Sequence, residues 1–250
     1  MTHKASSPRI RQGKIIWLII GITYVFVWSI PFWNTFTGKG TGTVYAESIL
    51  RDYTQFKWYV IPLLLVVVNA YADEIRSKNY SVVFAGFALF LMDAFNEIWN
   101  GLFYTATGGY SAVWQCAYPT AYEPLMGWNI EIVFMFLLMG LAAPKLLPAD
   151  KEKMMFWGKI NNRHVYAFFM AWAAVFVEII LNIIGGLKWN YWWWQPSFPW
   201  IVFIIGYWPF FMVCYFVHDL ESTKKQALFV GVMATVVLVS FVVFISLGWV

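Results

Sequence analysis

Charge is scarce in this sequence. Asp, Glu, Lys and Arg make up 12% of its 250 residues, against 61% hydrophobic. A water-soluble domain of this length needs far more charge to cover its surface, so a soluble globule is excluded. Disordered chains and nucleic-acid binders depend on the same missing charge, and no nucleic-acid partner is expected. Cysteine is nearly absent as well. Cys116 and Cys214 cannot build a disulfide framework or a thiolate cluster. The histidines are only His3, His164 and His218, each before, or at the edge of, an apolar run and none within one. Hydrolytic and redox metal centres recruit imidazole, so no resident metal and no cofactor is expected, with oxygen-rich Mg²⁺ coordination left open. There is no nucleotide-binding motif, no internal repeat and no composition break that would mark a second domain. The last apolar run carries no Lys, Asp or Glu, which excludes a retinal Schiff base.

What is abundant is apolar length. Seven runs, at about 15–35, 58–73, 80–103, 126–147, 164–187, 198–217 and 227–249, approach the ~20 residues that a helix needs to cross ~30 Å of hydrocarbon. The expectation is an all-α, polytopic integral membrane protein, a single bundle of seven transmembrane helices over 1–250. Pro31, Pro62 and Pro209 lie inside spans one, two and six, where each is expected to bend its helix. Of the 17 Lys and Arg, all but Lys39, Arg51, Lys57 and Lys188 fall on one side, Lys4 among the majority. The positive-inside rule then predicts a cytoplasmic N-terminus and an external C-terminus. The expected location is the cell membrane or, in a eukaryote, the endoplasmic reticulum membrane. Gly140 and Ala143 permit close helix packing and leave a homo-oligomer open.

The aromatic share, 21%, exceeds what two interfacial belts require, so many rings should face inward. Two outer loops concentrate them. Residues 104–125 hold Tyr110, Trp114, Tyr118 and Tyr122 without a Lys or Arg, and residues 188–200 include Trp192-Trp193-Trp194. They read either as interfacial anchors or as a lid over a cavity.

The sharpest signal is acidic. Asp93, Glu97, Glu131 and Glu178 fall inside spans, where a carboxylate costs several kcal/mol and normally marks a functional interior. Asp93, Glu97, Asn100 and Tyr104 follow at i, i+4, i+7 and i+11, one stripe of a helix, with Asn96 beside it. Glu178 and Asn182 share a face of span five, and Trp128 and Glu131 a face of span four. Glu97, Glu131 and Glu178 are each expected ~9–12 Å below the outer boundary, counting ~1.5 Å per residue. Carboxyls crowded in low dielectric do not all ionise, and a protonated one beside an ionised one is an acid/base pair. Aromatic faces nearby would stabilise a carbocation. The expected catalytic set is Glu97 as proton donor, Asp93 tuning it, and Glu131 and Glu178 as base or cation stabiliser. Asn100, Asn182, Tyr104, Trp128, Tyr207 and Trp208 are the expected substrate-binding residues. The bland alternative is that such carboxyls tie helices together.

The run Asp93-Ala94-Phe95-Asn96-Glu97, a 22-residue loop, and then Glu131 in Asn-Ile-Glu-Ile resembles the emopamil-binding-protein group of membrane sterol isomerases. That group carries His-x-x-x-Glu on one span and Glu early in the next; Asp93 stands here in place of the His. The later layout, Glu178, then Tyr207 and Trp208, then Asp219, is also similar. The stretch from Asp93 to Trp99, preceded by Asp73-Glu-Ile-Arg-Ser-Lys78, resembles in turn the small membrane-bound terpene cyclases of meroterpenoid pathways. Both resemblances imply acid/base chemistry on an isoprenoid- or sterol-like lipid, an apolar substrate drawn from the membrane lipids. The alternatives are a proton- or cation-coupled transporter or channel using the same carboxylates, or a non-catalytic subunit of a membrane complex.

Overall fold

The computed structural model describes residues 7–250; His3 and Lys4 lie outside the described residues. The chain is mainly helical. Its helices are α1 (Pro8–Trp33), a short α2 (Thr43–Ile49), α3 (Val60–Arg76), α4 (Tyr80–Ala106), α5 (Ile130–Lys145), α6 (Asn162–Ile183), α7 (Trp208–His218) and α8 (Thr223–Ser246). Four of these, α1, α4, α6 and α8, are long and apolar enough to cross a membrane. At 17 and 16 residues, α3 and α5 are shorter.

Helix α4 is the axis of the bundle. Its 27 residues are apolar on nearly every side, and it packs on α3, α5, α7 and α8. The crossing with α5 is close because both helices offer glycine there. A Cβ on Gly140 would stand 2.6 Å from the Gly86 carbonyl oxygen. Gly140 is therefore occupied within the chain and does not lie on an oligomer surface. At the periphery, α8 buries only Gln226 and Val230. The Gln226 amide donates to the carbonyls of Val217 and His218, at 3.1 Å each, which ties α8 to the open C-terminal end of α7.

Helix α7 is preceded by a π-helical turn, Val202–Tyr207. Its cause is Pro209, which has no N–H to offer the carbonyl one turn back, that of Ile205. The freed Ile205 oxygen accepts instead from Asn96 Nδ2 at 3.0 Å and from the Tyr24 hydroxyl at 3.2 Å. Pro62 sits in the first turn of α3, where the missing N–H has no intrahelical partner to lose.

Two small antiparallel ladders complete the fold. Strands β2 (Met154–Met155) and β3 (Ile160–Asn161) form a hairpin before α6. Strand β1 (Trp114–Cys116), after α4, pairs with β4 (Leu187–Trp189), after α6, in the register Trp114↔Trp189. The two aromatic loops are thereby joined into one cover over the same end of the bundle.

Candidate functional site

Beneath that cover lies a cavity of about 220 Å³ between α4, α5, α6 and the π-turn of α7. Asp93, Glu97, Glu131 and Glu178 all line it. Local sequence explains why. Asp93 and Glu97 are one turn apart on the inner face of α4 and only 3% exposed. On α6 the small residues Ala167, Ala171 and Ala174 precede Glu178 at helical spacing, so the face that packs on α7 delivers Glu178 inward. The remaining wall is apolar and aromatic, with Phe136, Tyr207 and Phe210 below and Trp114 and Trp194 above. The Phe136 and Tyr207 rings stack at 6.1 Å, and those of Trp114 and Trp194 at 5.0 Å.

Each carboxyl is held by its own aromatic donor. Trp128 Nε1 donates to Asp93 Oδ2 at 2.8 Å, and Trp114 Nε1 donates to Glu97 Oε1 at 2.9 Å. The Tyr207 hydroxyl donates to Glu178 Oε1 at 2.6 Å, and the Tyr59 hydroxyl donates to Glu131. Glu131 Oε1 also accepts from the Ala121 N–H at 2.9 Å, while its Oε2 is buried without a partner. Each of the four acids thus has a ring N–H or O–H donor, joined by the Ala121 N–H at Glu131 and the Asn100 amide at Glu97, and none is held by another acid. Among the described residues no set of three His, Cys, Asp or Glu is disposed to hold a metal ion.

The cavity has a side mouth. Helices α5 and α6 both pack on α7 but make little contact with each other. The lining residues in that gap, Met135 on α5 and Val177 on α6, are 40% and 48% exposed. The lining is thus exposed on the flank of the bundle as well as beneath the cover.

Several expected site residues stand elsewhere. Asn100 is on the predicted stripe of α4 but serves the cover. Its amide donates to the carbonyls of Trp114 and Met126 at 2.8 Å each, and its oxygen accepts from the N–H of Val113 at 2.7 Å and of Trp114 at 3.2 Å. Its amide also lies 3.5 Å from Glu97 Oε2, so it steadies that acid from beside the cavity and does not line the cavity itself. Asn182 donates to the Leu187 carbonyl at 3.3 Å, because α6 ends at Ile183 and the chain turns back at Gly185. Tyr104 is drawn away by Glu47 and Lys39. Trp208 faces an apolar groove beside α1, its ring 5.0 Å from Phe203. Trp128 does not line the cavity but orients Asp93. Glu131 is shallower than expected and shares no helix face with Trp128. Gly127 takes a left-handed φ of 87° and Asn129 caps Ile132, so α5 starts only at Ile130.

Other contributors arise from contacts distant in sequence. Tyr59, Tyr118 and Trp194 fall in aromatic segments with no periodic signal. Asn96 supports the site from behind, accepting from the Tyr24 hydroxyl at 2.6 Å while it binds the π-turn. In the cover itself, burial pushes the Glu123 carboxyl up to about 8, opposed by the Gly127 N–H that donates to it at 2.6 Å. Burial also pushes the Cys116 thiol up, which makes it an inert packing group.

The chain is 54% identical over 182 residues to an uncharacterized protein of Archaeoglobus fulgidus, covering 73% of this chain and 85% of that one. A second uncharacterized protein of the same organism is 38% identical over 53 residues, 21% of this chain and 95% of its own length. No solved structure matches the chain. Residues 40–246 match an uncharacterized membrane protein family, which spans α2 to α8 and every carboxyl of the cavity, and the chain belongs to that family.

Proposed function

We propose that the protein is an intramembrane acid/base enzyme that isomerises or cyclises an isoprenoid- or sterol-like lipid. The observation that carries this reading is the cavity, in which four carboxyl groups interrupt an aromatic wall and a mouth faces the side of the bundle. At about 220 Å³ it suits the reacting end of a lipid whose remainder trails through the mouth. Glu97, protonated, adds its proton to an alkene carbon and becomes a carboxylate. The carbocation that results lies among the Tyr207, Phe136 and Trp194 rings, whose negative faces stabilise it. Glu178 removes a proton from a neighbouring carbon, which forms the new double bond, after direct rearrangement or after ring closure. Proton return from Glu178 to Glu97 resets the pair. The cycle is redox-neutral and needs no cofactor. Asp93 tunes Glu97 from one turn away, and Glu131 stands at the rim as a second base.

In this reading seven helical segments cross the membrane, with α3, α5 and α7 as short crossings at the sides of α4. The basic side is cytoplasmic and the cavity opens in the outer half. A reporter fused at the C-terminus is then external and one in the 148–162 loop internal; both on one side would exclude it.

The direct test is mass spectrometry of lipids that co-purify with the wild-type protein and with Phe136→Ala. An isoprenoid-type lipid retained by the first and depleted in the second is expected. An empty cavity in both, with added polyisoprenoids left unconverted, would overturn the reading. One feature favours a second reading, proton- or cation-coupled transport: the π-turn interrupts a helix beside the carboxyls, as broken helices do at transporter binding sites. Acidification of liposomes containing the protein, absent with Glu178→Gln, would select it.

A further inference from the structure

At the opposite end of the bundle from the carboxylate cavity, a larger pocket of about 540 Å³ lies between the start of α1, the start of α6 and the end of α7. Its floor is an ion cluster. Arg163 Nε and Nη2 donate to the Asp219 carboxylate at 2.8 and 2.9 Å, and Arg9 Nη2 lies 2.7 Å from it. The two guanidiniums and His218 hold the Asp219 carboxyl well below the usual carboxylate range, against the burial that would raise it. Two cations on one anion leave a surplus positive charge at the floor. At the rim, Lys225 is paired with Glu221, and Glu152 stands 3.5 Å from Arg9. Lys151 reaches the Asp219 carbonyl at 3.3 Å, whereas Lys14 has no ion pair among the described residues. Three acids against five bases leave the lining net positive.

A second observation comes from an uncharged group. Tyr215 lines this pocket and is 1% exposed, and its buried hydroxyl has no hydrogen-bond partner. A buried hydroxyl left unpaired costs about 1–3 kcal/mol, so such a group is normally satisfied by something. The wall beside it is hydrocarbon. Trp17 and Phe216, 42% and 48% exposed, lie on the outward sides of α1 and α7. A cationic floor, an unused donor and an apolar flank are what an anionic amphiphile meets.

We propose that this pocket binds the phosphate group of an anionic membrane lipid, with the phosphate between Arg9, Lys14 and the Tyr215 hydroxyl and the lipid chains against Trp17 and Phe216. Phosphate supplies three or more acceptor positions to donors that carry surplus charge. Its diester link to a lipid explains why the pocket is walled with exposed rings on the side away from the lysines. A zwitterionic headgroup would bring a second cation into a lining that is already positive. The site is separate from the carboxylate cavity and holds whether or not that cavity is catalytic.

The test is thermal unfolding of the full chain in detergent with added phosphatidylglycerol, phosphatidylcholine or inorganic phosphate at matched ionic strength. Phosphatidylglycerol alone is expected to raise the unfolding temperature. Lys14→Gln and Tyr215→Phe should each weaken that lipid's apparent affinity about fivefold, the equivalent of ~1 kcal/mol per contact. Neither variant should unfold earlier without lipid, since Lys14 is exposed and the hydroxyl has no partner to lose. Equal stabilisation by phosphatidylcholine, full stabilisation by inorganic phosphate, or a phosphatidylglycerol effect undiminished in both variants would each overturn the proposal.

Discussion

The Trp114 indole N–H donates to Glu97 Oε1 at 2.9 Å, so one buried hydrogen bond fastens the cover strand β1 to the acid at the floor of the cavity. The same ring stacks on Trp194 at 5.0 Å and on Trp99 at 5.7 Å. Trp114→Phe keeps an aromatic ring between the two tryptophans and deletes the donor. The expected loss of stability is about 1–3 kcal/mol, the usual penalty for stranding a buried acceptor. Amide hydrogen exchange should show the loss to be local, with faster exchange in residues 113–116 and unchanged protection in α4. Uniformly faster exchange over the bundle would mean that the contact holds the whole fold and not the cover.

Glu97→Gln separates chemistry from helix adhesion. Glutamine keeps the acceptor that Trp114 uses and has almost the same shape, but it has no acidic proton. If Glu97 is the proton donor, turnover of the lipid identified by co-purification should fall by ~10²-fold or more with unfolding unchanged. If Glu97 only links helices, the loss should be slight, because interhelical hydrogen bonds in membranes average ~0.6 kcal/mol. Undiminished turnover would remove Glu97 from the mechanism.

What could be read from the sequence follows the range of the physics involved. The helical segments and the acidic stripe were legible because apolar length and a 3.6-residue period are local properties. The convergence of Glu178 with Asp93 and Glu97 was legible because a carboxyl inside an apolar helix has few places to go. Trp128 and Tyr207 are among the expected site residues, but the pairing of each ring donor with its acid is not legible. Trp128, Trp114 and Tyr59 reach their acids across 35, 17 and 72 residues, through a loop fold that no periodicity encodes. Asn100 stands outside the cavity lining for a related reason. Its stripe on α4 is correct, but how far the cavity extends up that stripe depends on where β1 and the Met126 carbonyl settle. Glu131 lies in the first turn of α5 and not well inside a helix, because the apolar run from residue 126 continues through the Gly127 turn and hides the true start of α5.

Pro209 offers a test of whether the π-turn serves the site. Pro209→Ala restores an N–H to the helix and raises helix propensity, so a regular α-turn should form and α7 should become more stable. The Ile205 carbonyl would then be used within the helix, and Asn96 Nδ2 would lose its acceptor, while Tyr24 keeps its shorter bond to Asn96 Oδ1. Rewinding by one residue turns Tyr207 by ~100° away from Glu178. The expected outcome is an unfolding temperature equal to or above that of the wild type, with lost activity or lost retention of the co-purified lipid. Retained function with a regular helix would show that the turn is a by-product of the proline.

Glu123 predicts a pH dependence of stability. It lies in the cover, where burial pushes its carboxyl up to about 8, far above the ~4.3 of the unfolded chain. A carboxyl whose folded value is raised binds its proton more tightly in the folded state. Its contribution to stability is therefore complete below about pH 4 and is lost progressively as pH rises toward 8, where the folded protein must carry a buried charge. Glu123 Oε2 is buried without a partner, so the Gly127 N–H on Oε1 offsets only part of the cost of the ionised form. Glu123→Gln stays neutral throughout, and its carbonyl oxygen can still accept from the Gly127 N–H. Between pH 5 and 9 the wild-type unfolding temperature should fall more steeply than that of the variant, and the two curves should diverge most at the alkaline end. Parallel curves would mean that Glu123 is already ionised in the folded protein, with a counter-charge or water reaching it beneath the cover.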